Sequence, residues 1–174
     1  MAEHIELNPT DFLTIDTIGQ PGQRTFYIQG AQGNNLITLV IEKQQAISLA
    51  DGLSELIKEI SRRTGEPEVP EESLLYDLRL REPIEPLFRV GNMGLGFSEE
   101  VELFVVVAYE IPQSDAAQEE EQDAVSFWVT RDQVLALIPH TEAVVGAGRP
   151  ICGNCGRPME PEGHFCEKRN GHKH

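Results

Sequence analysis

The chain alternates between two hydrophobic periods. "FLTIDTIG" (12–19), "RTFYIQG" (24–30) and "LITLVIEK" (36–43) are rich in β-branched and aromatic residues and read as strands. The turn-forming stretches "QPGQ" (20–23) and "GAQGNN" (30–35) separate them, which predicts an antiparallel meander. From 44 to 63 the period becomes helical. Ala46, Leu49, Ala50, Leu53, Leu56, Ile57 and Ile60 recur every three or four residues and so share one helix face.

Residues 65–86 form a proline-rich linker, in which only "SLLYDLRLR" (73–81) can form something regular. The strand period then returns in "PLFRVGNMGLGF" (86–97), "VELFVVVAYEI" (101–111) and "AVSFWVT" (124–130). The acidic "QSDAAQEEEQD" (113–123) between the last two reads as a hairpin loop. "RDQVLALIPHTEAVV" (131–145) is helical again, with Thr130 and Gln133 spaced for a capping box. Pro139 lies inside that helix and predicts a kink or a break.

The order is three strands and a helix, twice. "IEKQQAISL" (41–49) also aligns with "VTRDQVLAL" (129–137), so that Gln45 and Leu49 become Gln133 and Leu137. The expected fold is α+β: a domain over 1–148 built from duplicated β-β-β-α units, with halves near 12–64 and 86–146. A tail, 149–174, follows. That order is similar to the duplicated single-stranded nucleic-acid-binding folds of the Pur and Whirly type. The likeness is one of topology and covers about 12–145. It departs from them in the strands, which lack an evident basic and aromatic face.

Charge narrows the partners. The net charge is -15, yet residues 149–174 hold five Lys or Arg against three Glu, so the body carries -17 and the tail +2. So acidic a body repels phosphate backbones and disfavours nucleic acid there. No apolar run approaches a membrane span, no secretory signal opens the sequence, and the cysteine count is odd. These features suit a cytoplasmic protein without a disulfide framework.

All three cysteines lie in "CGNCGRPMEPEGHFCEKRNGHKH" (152–174). Cys152 and Cys155 form a C-x2-C pair, in which one tight turn aims two thiolates at a single ion, and Gly156 follows. Cys166 adds a third thiolate, and a tetrahedral Zn²⁺ then needs one histidine. His164 requires a turn before Cys166, while His172 is the alternative fourth ligand. Ile151, Met159 and Phe165 are the large apolar residues of the tail, too few to fold it unaided. One structural zinc per chain, worth about 10–16 kcal/mol, would order so short a segment.

Other motifs carry less chemistry. Arg24 and Gln29 share a strand, and Arg89 precedes a glycine-rich "RVGNMGLGF" (89–97) that has neither dinucleotide nor P-loop spacing. These three are candidate ligand-binding residues, able to form an anion pocket near Gly91–Gly96. His140 has no nucleophile or carboxylate placed for a triad and reads as a surface histidine. No catalytic residue is assigned.

"GQPGQRTFYIQ", "FRVGNMGLGF" and "GRPICGNCGRPMEPEGHFCEKRNG" together resemble a bacterial domain-of-unknown-function family, number three thousand and ninety, over nearly the full length. Its ending, C-x2-C-G followed by D-P-x-G-H-x-C, implies His164 as the partner of Cys152, Cys155 and Cys166. Glu160 stands where the family usually has Asp. The resemblance implies no activity. The reading that emerges is a non-catalytic binding or adaptor protein with a structural zinc site and a protein partner. Its alternatives are an enzyme using the anion pocket, and single-stranded nucleic-acid binding through a sheet face.

Overall fold

The computed structural model describes residues 3–20, 22–65, 77–112 and 122–147. Nine elements follow one another: β1 (His4–Leu7), β2 (Phe12–Ile18), β3 (Thr25–Gln32), β4 (Asn35–Ile41) and α1 (Lys43–Thr64), then β5 (Pro86–Ser98), β6 (Leu103–Glu110), β7 (Ala124–Val129) and α2 (Arg131–Ala147). The protein is α+β, with one seven-stranded sheet in the order β1-β7-β6-β5-β4-β3-β2. The two expected meanders are present: β2-β3-β4 and β5-β6-β7 are each antiparallel throughout. Parallel pairs join them, β4 to β5 and β7 to β1.

The outermost strands, β1 and β2, are consecutive in the chain and joined only by residues 8–11. The sheet must therefore curl until its two edges meet. Across the seam the Thr10 N–H donates to Trp128 O at 2.7 Å and the Asp11 N–H to Ala31 O at 2.8 Å. β3 and β7 approach so closely there that a Cβ on Gly30 would lie 2.5 Å from the Phe127 ring.

β4 and β7 run in the same direction, so both helices leave the same end of the curled sheet and pack against one another there. α1 buries Ala46, Leu49, Ala50, Leu53, Ile57 and Ile60, the face its spacing predicts. Burying each Leu or Ile contributes about 1.5–3 kcal/mol relative to exposure. Gly65, at φ 78°, ends the helix with its N–H on Ser61 O at 2.8 Å. α2 starts on the expected capping box. The Thr130 N–H donates to Gln133 Oε1 at 2.8 Å, and the Gln133 N–H to Thr130 Oγ1 at 3.2 Å. It then runs through Pro139 to Ala147 as one element, where the sequence predicts a kink or break. Val134, Leu135 and Leu137 are buried before the proline, and Thr141, Val144 and Val145 after it, so tertiary packing holds both sides.

β1 was not expected. "HIEL" is too short to show a period, and its partner β7 lies at the far end of the chain. The linker residues 77–85 that lie in view form no regular element. They work as a strap over the sheet's outer face: Thr14 Oγ1 donates to Leu78 O, and the Arg81 guanidinium lies 3.8 Å from the Phe12 ring centroid.

Candidate functional site

The inner face of the sheet, with the helices, forms the single core that includes Ile15, Ile28, Leu39, Phe104, Val106 and Phe127. The outer face carries the polar side chains. Thr14, Gln29 and Thr38 sit side by side across β2, β3 and β4, and all three are buried. Gln29 is fully satisfied there. Its Nε2 donates to Thr38 Oγ1 and to Arg81 O, both at 2.9 Å, and its Oε1 accepts from the Arg81 N–H at 2.8 Å. The amide copies a strand neighbour's bonding pattern and fastens the strap to β3.

Arg24, just before β3, acts in the same way. Its Nη1 donates to Val144 O at 2.7 Å and Thr17 Oγ1 at 3.4 Å, and its Nη2 reaches Val145 O at 3.5 Å. Val144 and Val145 belong to the last turn of α2, whose carbonyls have no intrahelical donor and carry the negative end of the dipole. Partial burial lowers the Arg24 pKa and Asp16 nearby pulls it back up, so the group stays charged at working pH. His140, also on α2, holds its Nε2 3.6 Å from Asp16 Oδ2, with only a quarter of the side chain exposed. It is partly buried in the core's margin, not free on the surface.

Arg89 pairs with Glu42 at 2.8 Å, with both side chains more than half exposed. Arg24 and Arg89 do share a cleft of about 450 Å³, together with Lys43, Glu42 and Gly22. Gln29 does not line it. The glycine-rich stretch lines a separate cleft of about 240 Å³, with Gln45, Ser48 and Leu95 on the flank of α1. Gly91 and its neighbours accommodate a register shift between Val90 and Met93, and a Cβ on Gly91 would come 3.0 Å from Ile111 Cα. Lys43 is the cleft residue that sequence reasoning missed. Its only signal is its position as the first residue of α1.

Of the strand aromatics, Phe26, Phe88, Phe104 and Phe127 are buried in the core, whereas Tyr109 is exposed and Trp128 half-buried. Cys152, Cys155, His164, Cys166 and His172 all lie outside the described residues, as does the glutamate run 119–121. Among the described residues no group of three or more His, Cys, Asp or Glu could hold a metal ion. No described helix is long and apolar enough to cross a membrane.

A family model described as a protein of unknown function (DUF3090) matches residues 5–166. The chain belongs to the DUF3090 family. That match takes in both strand-and-helix halves, the strap and the cysteines as far as Cys166. No curated protein and no solved structure matches the chain.

Proposed function

We propose that this DUF3090 chain is a non-catalytic binding or adaptor protein. In this reading two equivalent β-β-β-α units close one scaffold, and a structural zinc knuckle after α2 meets a protein partner. The observation that carries it concerns the candidate ligand groups. Arg24, Gln29 and Arg89 are bonded to helix carbonyls, to the strap backbone and to Glu42, so their polar atoms already serve the fold.

Register supports the equivalence of the halves. The outer row Thr14, Gln29, Thr38, Pro86 runs across β2, β3, β4 and β5. Its counterpart Gly94, Val107, Ser126, Glu6 runs across β5, β6, β7 and β1 with the same sequence of antiparallel and parallel steps. β1 and β2 together thus stand where β5 stands alone. Gln45 and Gln133 support it further. The Oε1 of each accepts the N–H of its helix cap residue, Glu42 or Thr130. The Nε2 of Gln45 donates to Val90 O and Gly91 O at 3.1 and 2.8 Å, and that of Gln133 to Thr10 O at 2.8 Å. Gln45 thus ties its helix start to β5 where that strand shifts register, and Gln133 ties its own to the connection between β1 and β2.

The zinc rests on the sequence: three thiolates with knuckle spacing and His164 beside Cys166. Protein purified without an affinity tag should carry one Zn²⁺ per chain by metal analysis. Cys152→Ser and His164→Ala should lose it, and His172→Ala should keep it. Metal-free preparations with reactive thiols would overturn the zinc site. Capture of the same partner by wild type and by the zinc-free Cys152→Ser chain would overturn the knuckle as the adaptor surface.

A further inference from the structure

The outer face of β2-β3-β4 is covered, whereas that of β5-β6-β7 is bare among the described residues. At the row equivalent to Thr14, Gln29 and Thr38, the second half has Gly94, Val107 and Ser126. Val105 and Trp128 stand beside them half-exposed, and Tyr109 is 38% exposed at the end of the strip. Ser126 is already bonded to His4 Nε2 at 2.7 Å. What remains is an apolar floor with a gap in it: a Cβ on Gly94 would meet nothing within 4 Å. Paired glycine and valine positions of this kind accept a close-packed segment and offer no polar group that needs water.

We propose that residues 148–174 dock on this strip, as the strap docks on the first half. The covered face shows which part of the chain is suited to the role. Its cover, residues 77–81, comes from the segment that follows α1, bound through Leu78 O, Arg81 N and Arg81 O. The segment that follows α2 is the counterpart. From the end of α1 at Thr64 the chain takes fourteen residues to reach Leu78, and residue 174 lies well beyond the same count from Ala147. Fourteen residues can span at most about 50 Å, ample for a domain of this size.

Charge and composition select the same occupant. Residues 149–174 carry a net +2 and the body -17, with Glu6 beside Ser126 at the margin of the strip. A second copy of the chain would bring another strongly acidic body to the face. Ile151, Met159 and Phe165 supply the apolar side chains that an apolar strip takes. The inference rests on the equivalence of the halves and is independent of the metal.

Trp128 is the sole tryptophan, so its fluorescence reports on this face alone. In the full chain at micromolar concentration, acrylamide quenching of Trp128 should rise several-fold on Gly94→Glu. Trypsin cleavage after Lys168 and Arg169, neither of which precedes a proline, should accelerate several-fold in the same variant. Gly94 has room for a side chain and no left-handed φ, so the scaffold itself should tolerate the change; Val107→Lys is a second probe of the same strip. Equal quenching and equal cleavage in wild type and both variants, each folded by circular dichroism, would overturn the docking. Shielding that fades on dilution would overturn it too, in favour of a second copy. Wild-type protein that carries no zinc as purified, with Trp128 still shielded, would sink the zinc reading and leave this one standing.

Discussion

The two outer faces carry the same ladder and opposite chemistry. On β2-β3-β4 the central row is Thr14, Gln29 and Thr38, buried and hydrogen-bonded beneath the strap. On β5-β6-β7 the same row is Gly94, Val107 and Ser126. The inner rows differ less: Ile15, Ile28 and Leu39 are all buried, and Val106 and Phe127 are buried in the matching row, with Leu95 partly exposed beside α1. Register is therefore set from inside, by side chains that must fill the core, and by the two glutamines at the helix starts. The outer rows are left to adapt to whatever covers them. A polar row suits a strap that offers backbone groups; a glycine and valine row suits side chains.

The core gives the hardest way to break this comparison. Phe127 is fully buried and faces Gly30 across the seam, while the register-matched positions on β4 and β6 hold Leu39 and Ala108. Phe127→Ala should cost about 3–5 kcal/mol in urea unfolding. Gly30→Ala puts a methyl group 2.5 Å from that ring and should cost about 1–3 kcal/mol. Combining Gly30→Ala with Phe127→Leu copies the other unit's small-and-large pair, and should recover much of the loss. Strictly additive costs would show that the two units pack their seams differently.

The outer rows give the next effect. Gln29→Leu leaves the Arg81 N–H, the Arg81 carbonyl and Thr38 Oγ1 without their partner, so about 2–4 kcal/mol should be lost. The reciprocal Val107→Gln puts an amide at the equivalent, half-exposed place and should change stability by less than about 1 kcal/mol. A large loss from Val107→Gln would mean that its face is already sealed against polar groups.

These contrasts also explain what the sequence could disclose. The strands of both meanders and both helices were legible because a buried face imposes its period on the residues. α1 shows this best, with Leu49, Leu53, Ile57 and Ile60 at helical spacing. β1 was not legible, since four residues carry no period and its register depends on β7, 120 positions away. The role of Gln29 was hidden for a related reason. A buried glutamine on an alternating strand looks like an exposed one until the strap that covers it is known. Arg24 read as a surface or ligand-binding cation because the carbonyls of Val144 and Val145 that it caps are distant in sequence. The zinc proposal for the tail rests on spacing alone, because metal chemistry imposes spacing on the ligands themselves.

Gln45 and Gln133 sharpen the comparison at a smaller scale. Each makes one bond to its helix cap and at least one more to backbone carbonyls, of β5 for Gln45 and of Thr10 between β1 and β2 for Gln133. Gln45→Ala and Gln133→Ala should therefore each cost about 1–2 kcal/mol, and agree with one another within about 0.5 kcal/mol. A cost confined to one of them, in paired denaturation curves, would break the equivalence on which the duplicated reading leans.

The smallest effect lies in the strap itself, at the Asp77–Arg79 pair. Arg79 donates from Nε and Nη2 to the two carboxylate oxygens of Asp77, both at 2.9 Å, and its backbone N–H adds a third bond. These bonds hold Asp77 at about 2, below its ordinary 3.8, and raise Arg79 in return. A carboxylate with a depressed pKa contributes stability that is complete above its ordinary value, and loses it as pH falls toward the depressed one. The window is thus pH 4 down to 2. Both groups are fully exposed, so water and salt screen the pair and the change in stability across that window should be slight. The titration is the better measurement. By NMR, Asp77 should titrate near 2 in the wild type and move up toward 3.8 in Arg79→Gln, with the gap narrowing in molar salt. An Asp77 that titrates normally in the wild type would mean that the pair does not hold this turn of the strap. The cover on the first unit would then rest on Thr14, Gln29 and the Arg81 stack on Phe12 alone.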